Sequence, residues 1–106
     1  MEAAPREILI CEDSRGRQPF TEWLESLTLA VRAVVEIRID RIEDGNFGDV
    51  KPVGGGVSEL RIDLGPGYRV YFGKEGDTLV ILIRGGTKKR QQQDIAAAQE
   101  LSLIHI

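Results

Sequence analysis

The sequence has little of what most side-chain catalysis and metal binding use. Its 106 residues contain one cysteine, Cys11, and one histidine, His105. A single cysteine excludes an internal disulfide. One Cys and one His cannot supply the four ligands of a structural zinc site, and no carboxylate spacing points to magnesium. A Ser-His or Cys-His nucleophilic pair would need His105, the penultimate residue, where chain ends are usually poorly ordered. Long apolar runs are missing too: no window approaches the roughly 18 residues of a membrane-spanning helix, and Met1–Glu7 has no apolar signal core. The expectation is a soluble, cytoplasmic, single-domain chain spanning residues 1–106, with no membrane partner and no cofactor.

What is present is an uneven charge distribution. The net charge is −3. Residues 1–50 carry −5, residues 51–90 carry +4 and residues 91–106 carry −2. An acidic body with a basic face is compatible with a polyanionic partner, because a partner feels the local patch rather than the sum. The same charges also suit a merely solvated surface.

The apolar pattern predicts an α+β chain in the order β-α-α-β-β-β-α. Residues 7–12 predict a first strand. Pro19–Leu27 places Phe20, Trp23, Leu24 and Leu27 on one helical face. Thr28 is the expected cap of a second helix running to about Asp44, with Val31, Val34, Val35, Ile37 and Ile42 as its apolar stripe and Gly45 as its stop. Two helices joined so closely predict a helical hairpin. Residues 45–57 are glycine-rich. Gly54–Gly56 lacks the order of a phosphate loop, so the glycines are expected to shape a turn beside a short edge strand. Residues 58–63, 68–73 and 78–84 predict a run of strands joined by hairpin-length turns. Gly85 and Gly86 are expected to turn the chain towards a closing helix over residues 90–101, leaving a disordered tail at 102–106.

One constellation stands out. Alternation places Arg69 and Tyr71 together, away from Tyr68, Val70 and Phe72. Arg61 lies on the preceding strand, on the face shared with Glu59 and opposite Leu60 and Ile62. Two arginines facing one another repel unless an anion or water intervenes. Lys88, Lys89 and Arg90 follow the last strand, which itself ends at Arg84. Arginine makes bidentate phosphate contacts, and tyrosine offers a stacking face to an unpaired base. The candidate is a phosphodiester site; the alternative is a solvated sheet face.

Five segments then appear in order: Phe20–Leu24 (FTEWL), Arg38–Asp49 (RIDRIEDGNFGD), Gly56–Ile62 (GVSELRI), Gly65–Tyr71 (GPGYRVY) and Gly85–Ile95 (GGTKKRQQQDI). Together they resemble the addiction-module killer proteins, the HigB-like branch of the RelE/ParE toxin superfamily, over about residues 7–101. The resemblance implies a RelE-like fold, with a helical hairpin packed on a small antiparallel sheet and a C-terminal helix. It implies the toxin of a bacterial type II toxin–antitoxin module, neutralised by a helix-turn-helix, HigA-like antitoxin. The implied activity is a metal-independent, ribosome-dependent mRNA endoribonuclease (an mRNA interferase) that blocks translation. A ParE-like gyrase poison or a non-catalytic binding toxin is the alternative. Carried over to this sequence, the catalytic candidates are Arg61, Arg69, Lys88, Lys89 and Glu59, with Glu59 as a candidate base. The RNA-binding candidates are Tyr68, Tyr71, Arg84 and Arg90. The sequence departs from the family where Thr87-Lys88-Lys89 replaces the usual Asp-Lys-Ser, and where the closing helix offers no tyrosine or histidine near Ile95.

Overall fold

The computed structural model describes the backbone of residues 6–105 and the side chains of residues 6–102. Met1–Pro5, the His105 side chain and Ile106 lie outside the described residues. The elements are β1 (Glu7–Ile10), α1 (Pro19–Glu25), α2 (Leu29–Glu43), β2 (Val50–Gly54), β3 (Val57–Ile62), β4 (Tyr68–Glu75), β5 (Leu79–Thr87), a one-turn 3₁₀ helix (Lys88–Arg90) and α3 (Gln91–His105). The fold is α+β, with three α-helices on a five-stranded sheet ordered β1-β5-β4-β3-β2.

The sheet is mixed, not antiparallel as expected. β2 to β5 form an antiparallel meander, but β1 runs parallel to β5, pairing Glu7 with Leu79 and Ile10 with Leu82. A parallel neighbour cannot be joined by a tight turn. The whole helical segment and the meander lie between β1 and its partner. Among the described residues no helix is long and apolar enough to cross a membrane.

Alternation gives the sheet two different faces. Leu60, Ile62, Val70, Phe72, Val80 and Leu82 point to one side, where Phe20 of α1 and Val35 and Ile42 of α2 complete the main core. Thr28 caps α2 as expected, accepting from the Val31 amide at 3.4 Å. Ile37 does not join the stripe and is half exposed. At about 100° per residue it sits some 200° from Val35, and Ile39 packs in its place. On the other face Val57, Tyr71 and Ile83 meet Ala98 of α3. Helix α3 continues to His105, so residues 102–105, expected to be disordered, are helical.

The hairpin β2–β3 turns on Gly55 and Gly56, both at positive φ (63° and 78°). That is the two-residue turn whose twist matches the flanking strands. Gly85 and Gly86 have another role than the expected exit turn. They lie inside β5, paired with Val70 and Arg69. A Cβ on Gly85 would fall inside the Trp23 ring of α1, and one on Gly86 would collide with the Asp94 carboxylate of α3. The two glycines let a helix press onto each face of one strand.

Candidate functional site

The register of β3, β4 and β5 writes two rows across the α3 face. Glu59, Tyr71 and Arg84 are adjacent in one row; Arg61, Arg69 and Gly86 are adjacent in the next. Arg61 and Arg69 are therefore direct cross-strand partners, and their repulsion is answered from within. The carboxylate of Glu59, fully buried, takes the Arg61 Nε at 2.9 Å, lies 3.8 Å from the Arg69 Nε and accepts from the Gln91 amide at 2.8 Å. Burial pushes the Glu59 carboxyl up, but hydrogen bonds from Arg61 and Gln91, with Tyr71 and the Arg69 charge behind them, outweigh it and hold it below its ordinary value.

Arg61, Arg69 and Lys88 line one cleft of about 290 Å³ with the Gly65–Gly67 loop. The loop and the 3₁₀ turn are tied together, because the Lys88 amide donates to the Gly67 carbonyl at 2.8 Å. Arg61 keeps about a third of its side chain exposed, whereas Arg69 keeps about a tenth. Asp49 and Asp63 share the rim. Its lining thus combines three cations with two exposed carboxylates. An oxyanion placed there would meet two guanidinium groups and an ammonium.

The other candidates fall elsewhere. Tyr71 is fully buried, so it cannot offer a stacking face to a base. Its hydroxyl has no hydrogen-bond partner of good geometry. Burial pushes its pKa well up, with the nearby Glu59 charge adding to this, so the phenol stays neutral. Tyr68 points to the opposite face and packs against the main core. Glu59 is buried and held ionised by its cations, which suits an anchor for arginines and not an exposed base. The three cations after β5 do not act as one run. Successive residues of a 3₁₀ turn point about 120° apart. Lys88 lines the cleft with Arg61 and Arg69, Arg90 lines another, and Lys89 is exposed and lines neither.

Arg84 is paired with Asp94, at 3.1 Å from its Oδ1. Sequence reasoning passed over Asp94, a carboxylate 3% exposed on the first turn of α3. Burial raises its pKa, and the Arg84 and Arg90 charges only partly offset this. Its spacing after Lys88–Arg90 gave no chemical motif; the signal available was Gly86, the position that makes room for it. Gln91, the second ligand of Glu59, was equally invisible. Among the described residues no group of three or more His, Cys, Asp or Glu is arranged to hold a metal ion.

No family model matches the chain. It is 48% identical over 84 residues to an uncharacterized protein of Haemophilus influenzae, across 78% of this chain and 85% of that one. The chain belongs to the same family as that Haemophilus influenzae protein.

Proposed function

We propose that this protein is the toxin of a bacterial type II toxin–antitoxin module, with a RelE-like fold of the HigB branch, acting in the cytoplasm as a ribosome-dependent mRNA endoribonuclease. The observation that carries this reading is the arginine pair Arg61–Arg69, held on one internal carboxylate with Lys88 fixed beside it. RNA cleavage through the ribose 2′-OH builds negative charge on the phosphorane, and preorganised cations aimed at that charge are the most effective stabilisers. Arg69, the less exposed of the pair, takes the phosphorane oxygens. Arg61 takes the adjacent phosphate, Lys88 holds phosphate or delivers a proton to the leaving 5′-oxygen, and the proton of the attacking 2′-OH passes to solvent water. The proposed partners are mRNA on the ribosome and a helix-turn-helix, HigA-like antitoxin.

The test is to induce the chain alone in bacteria and map transcript 5′ ends together with DNA breaks. In-frame cuts in translated mRNA are expected. Arg69→Ala should abolish toxicity while the protein still melts cooperatively and still binds the antitoxin. A second reading is favoured by the burial of Glu59, which leaves the cleft without the expected proton acceptor. It is a ParE-like gyrase poison or a non-catalytic binding toxin. Gyrase-linked DNA breaks with intact mRNA would select it and sink the first.

A further inference from the structure

A second cleft, of about 250 Å³, opens where β1 stops covering β5. Pairing between the two ends at Ile10 and Leu82, so the stretch Arg84–Thr87 has a strand neighbour only on its β4 side. Gly85 and Gly86 form the floor and contribute no side chain. Trp23 of α1 makes an apolar wall; Arg84, Arg90 and Asp94 supply the polar groups. Two of these groups are unfinished. Asp94 Oδ1 faces Arg84 at 3.1 Å, but its Oδ2 is buried with no donor, and the buried Arg84 Nε has no acceptor. Orphaned buried polar atoms are rare and costly in native structures.

We infer that this cleft binds a guanine base. The Asp94 carboxylate oxygen left without a donor, packed over Gly86, calls for a ligand that donates. Unsatisfied and exposed arginine N–H groups call for a ligand that also accepts. The indole wall calls for a planar apolar ring. Guanine presents N1–H and N2–H₂ donors on one edge and O6 and N7 acceptors on another; arginine is the usual partner of the latter pair. Adenine and cytosine offer a single exocyclic donor group, and uracil offers a single ring N–H. A volume below the roughly 300–1,000 Å³ of drug-sized sites suits one ring system and not a whole substrate. Asp94 reads the donor edge, Arg84 and Arg90 read the acceptors or the adjoining phosphate, and the base packs against Trp23, as unpaired bases do on aromatic side chains. The inference goes beyond the cleavage reading, because it concerns a different cleft and needs only a nucleotide. Its extension to guanine within an RNA strand rests on that reading.

Trp23 is the only tryptophan, so its fluorescence reports on this cleft directly. The purified chain is titrated with GMP, AMP, CMP, UMP and inorganic phosphate. The expected result is a saturable change with GMP at a concentration at least tenfold below that for the other four. Asp94→Asn should erase that preference by tenfold or more. Arg90→Ala, at an exposed position, should weaken GMP severalfold without altering the melting temperature; it keeps the inference testable should the Asp94 variant not fold. An equal response to all four nucleotides, the same response to phosphate alone, no saturable response, or GMP affinity unchanged in every folded variant overturns the inference. A pentaribonucleotide with one central guanine separates the sources. Tighter binding than GMP marks an RNA strand reaching the Arg61–Arg69 cleft, and equal binding marks a free nucleotide; either outcome keeps the guanine site. Loss of guanine preference with mRNA cleavage intact would remove this inference alone.

Discussion

Two buried residues show how the site's chemistry depends on what surrounds each polar atom. Glu59 lies within 4 Å of both facing arginines, one of them nearly buried. Removing one member of a buried pair leaves an uncompensated charge, at a cost of about 3–5 kcal/mol. Because Arg61 can turn to water, the lower end applies. Glu59→Ala is therefore expected to lose about 3 kcal/mol in urea unfolding and to lose any RNA affinity of the cleft. A loss under 1 kcal/mol would mean that Arg61 and Arg69 do not depend on it. Tyr71 is the contrasting case. Its ring fills the α3-side core, but its hydroxyl has no partner. Tyr71→Phe removes an unsatisfied group while keeping the shape, so stability should change by less than about 1 kcal/mol, in either direction. A large loss would show that the hydroxyl does bond, with Glu59, its cross-strand partner, as the acceptor. The sequence made the grouping of Glu59, Arg61, Arg69 and Tyr71 legible, because period-two alternation needs only local spacing. It could not show depth. A tyrosine on the cationic face looks like a stacking platform until α3 is laid over it.

At the level of elements, β5 is where the structure differs most from expectation. A glycine pair after an apolar run suggested the end of a strand. In the fold the pair continues the strand, because the constraint is steric and comes from α1 and α3, elements some 60 residues before and eight after. No window on the sequence contains both. Gly85→Ala should displace Trp23 and cost about 1–3 kcal/mol as overpacking, measured by thermal unfolding together with a change in tryptophan fluorescence. Gly86→Ala should instead disturb Asp94 and its ion pair with Arg84. Its tryptophan emission should stay near wild type while guanine binding falls. Identical spectra for the two variants would show that the faces are not independently seated. Turn chemistry, by comparison, was fully local: the Gly55–Gly56 hairpin and the Thr28 cap needed nothing beyond their neighbours. The three cations after β5 are neighbours in sequence but face different ways, because a 3₁₀ turn spreads them, and turn type is not written in the run itself.

For the whole molecule, two buried carboxylates tilt stability in opposite directions with pH. Glu59 is held below its ordinary 4.5 in the folded chain. Its contribution is therefore complete above that pH and is lost as the pH falls through the lowered folded value. Asp94 is held above its ordinary 3.8. Between that pH and its raised value the folded chain holds the proton more tightly, so stability falls as the pH rises through this window. Melting temperature measured from pH 3 to pH 7 should show both limbs. Glu59→Gln should flatten the acid limb and Asp94→Asn the other, whatever their absolute stabilities. A Glu59→Gln profile parallel to the wild type would show that another carboxylate governs acid unfolding. Net charge gave no hint of this, since both groups count equally in a sum of −3.

The parallel pairing of β1 with β5 also orders events in time. During synthesis Glu7–Ile10 leaves the ribosome before its strand partner, Leu79–Leu82, and before the helices and strands that lie between them. Until then β1 has nothing to pair with, and Leu9 and Ile10 remain partly exposed even afterwards. The same late segment, β5, carries the glycines that seat α1 and α3 and leads directly into Lys88. A nascent chain stalled before it therefore has no complete sheet, no second cleft and only part of the first. Both clefts therefore come into existence together, once β5 and the turn after it have been made.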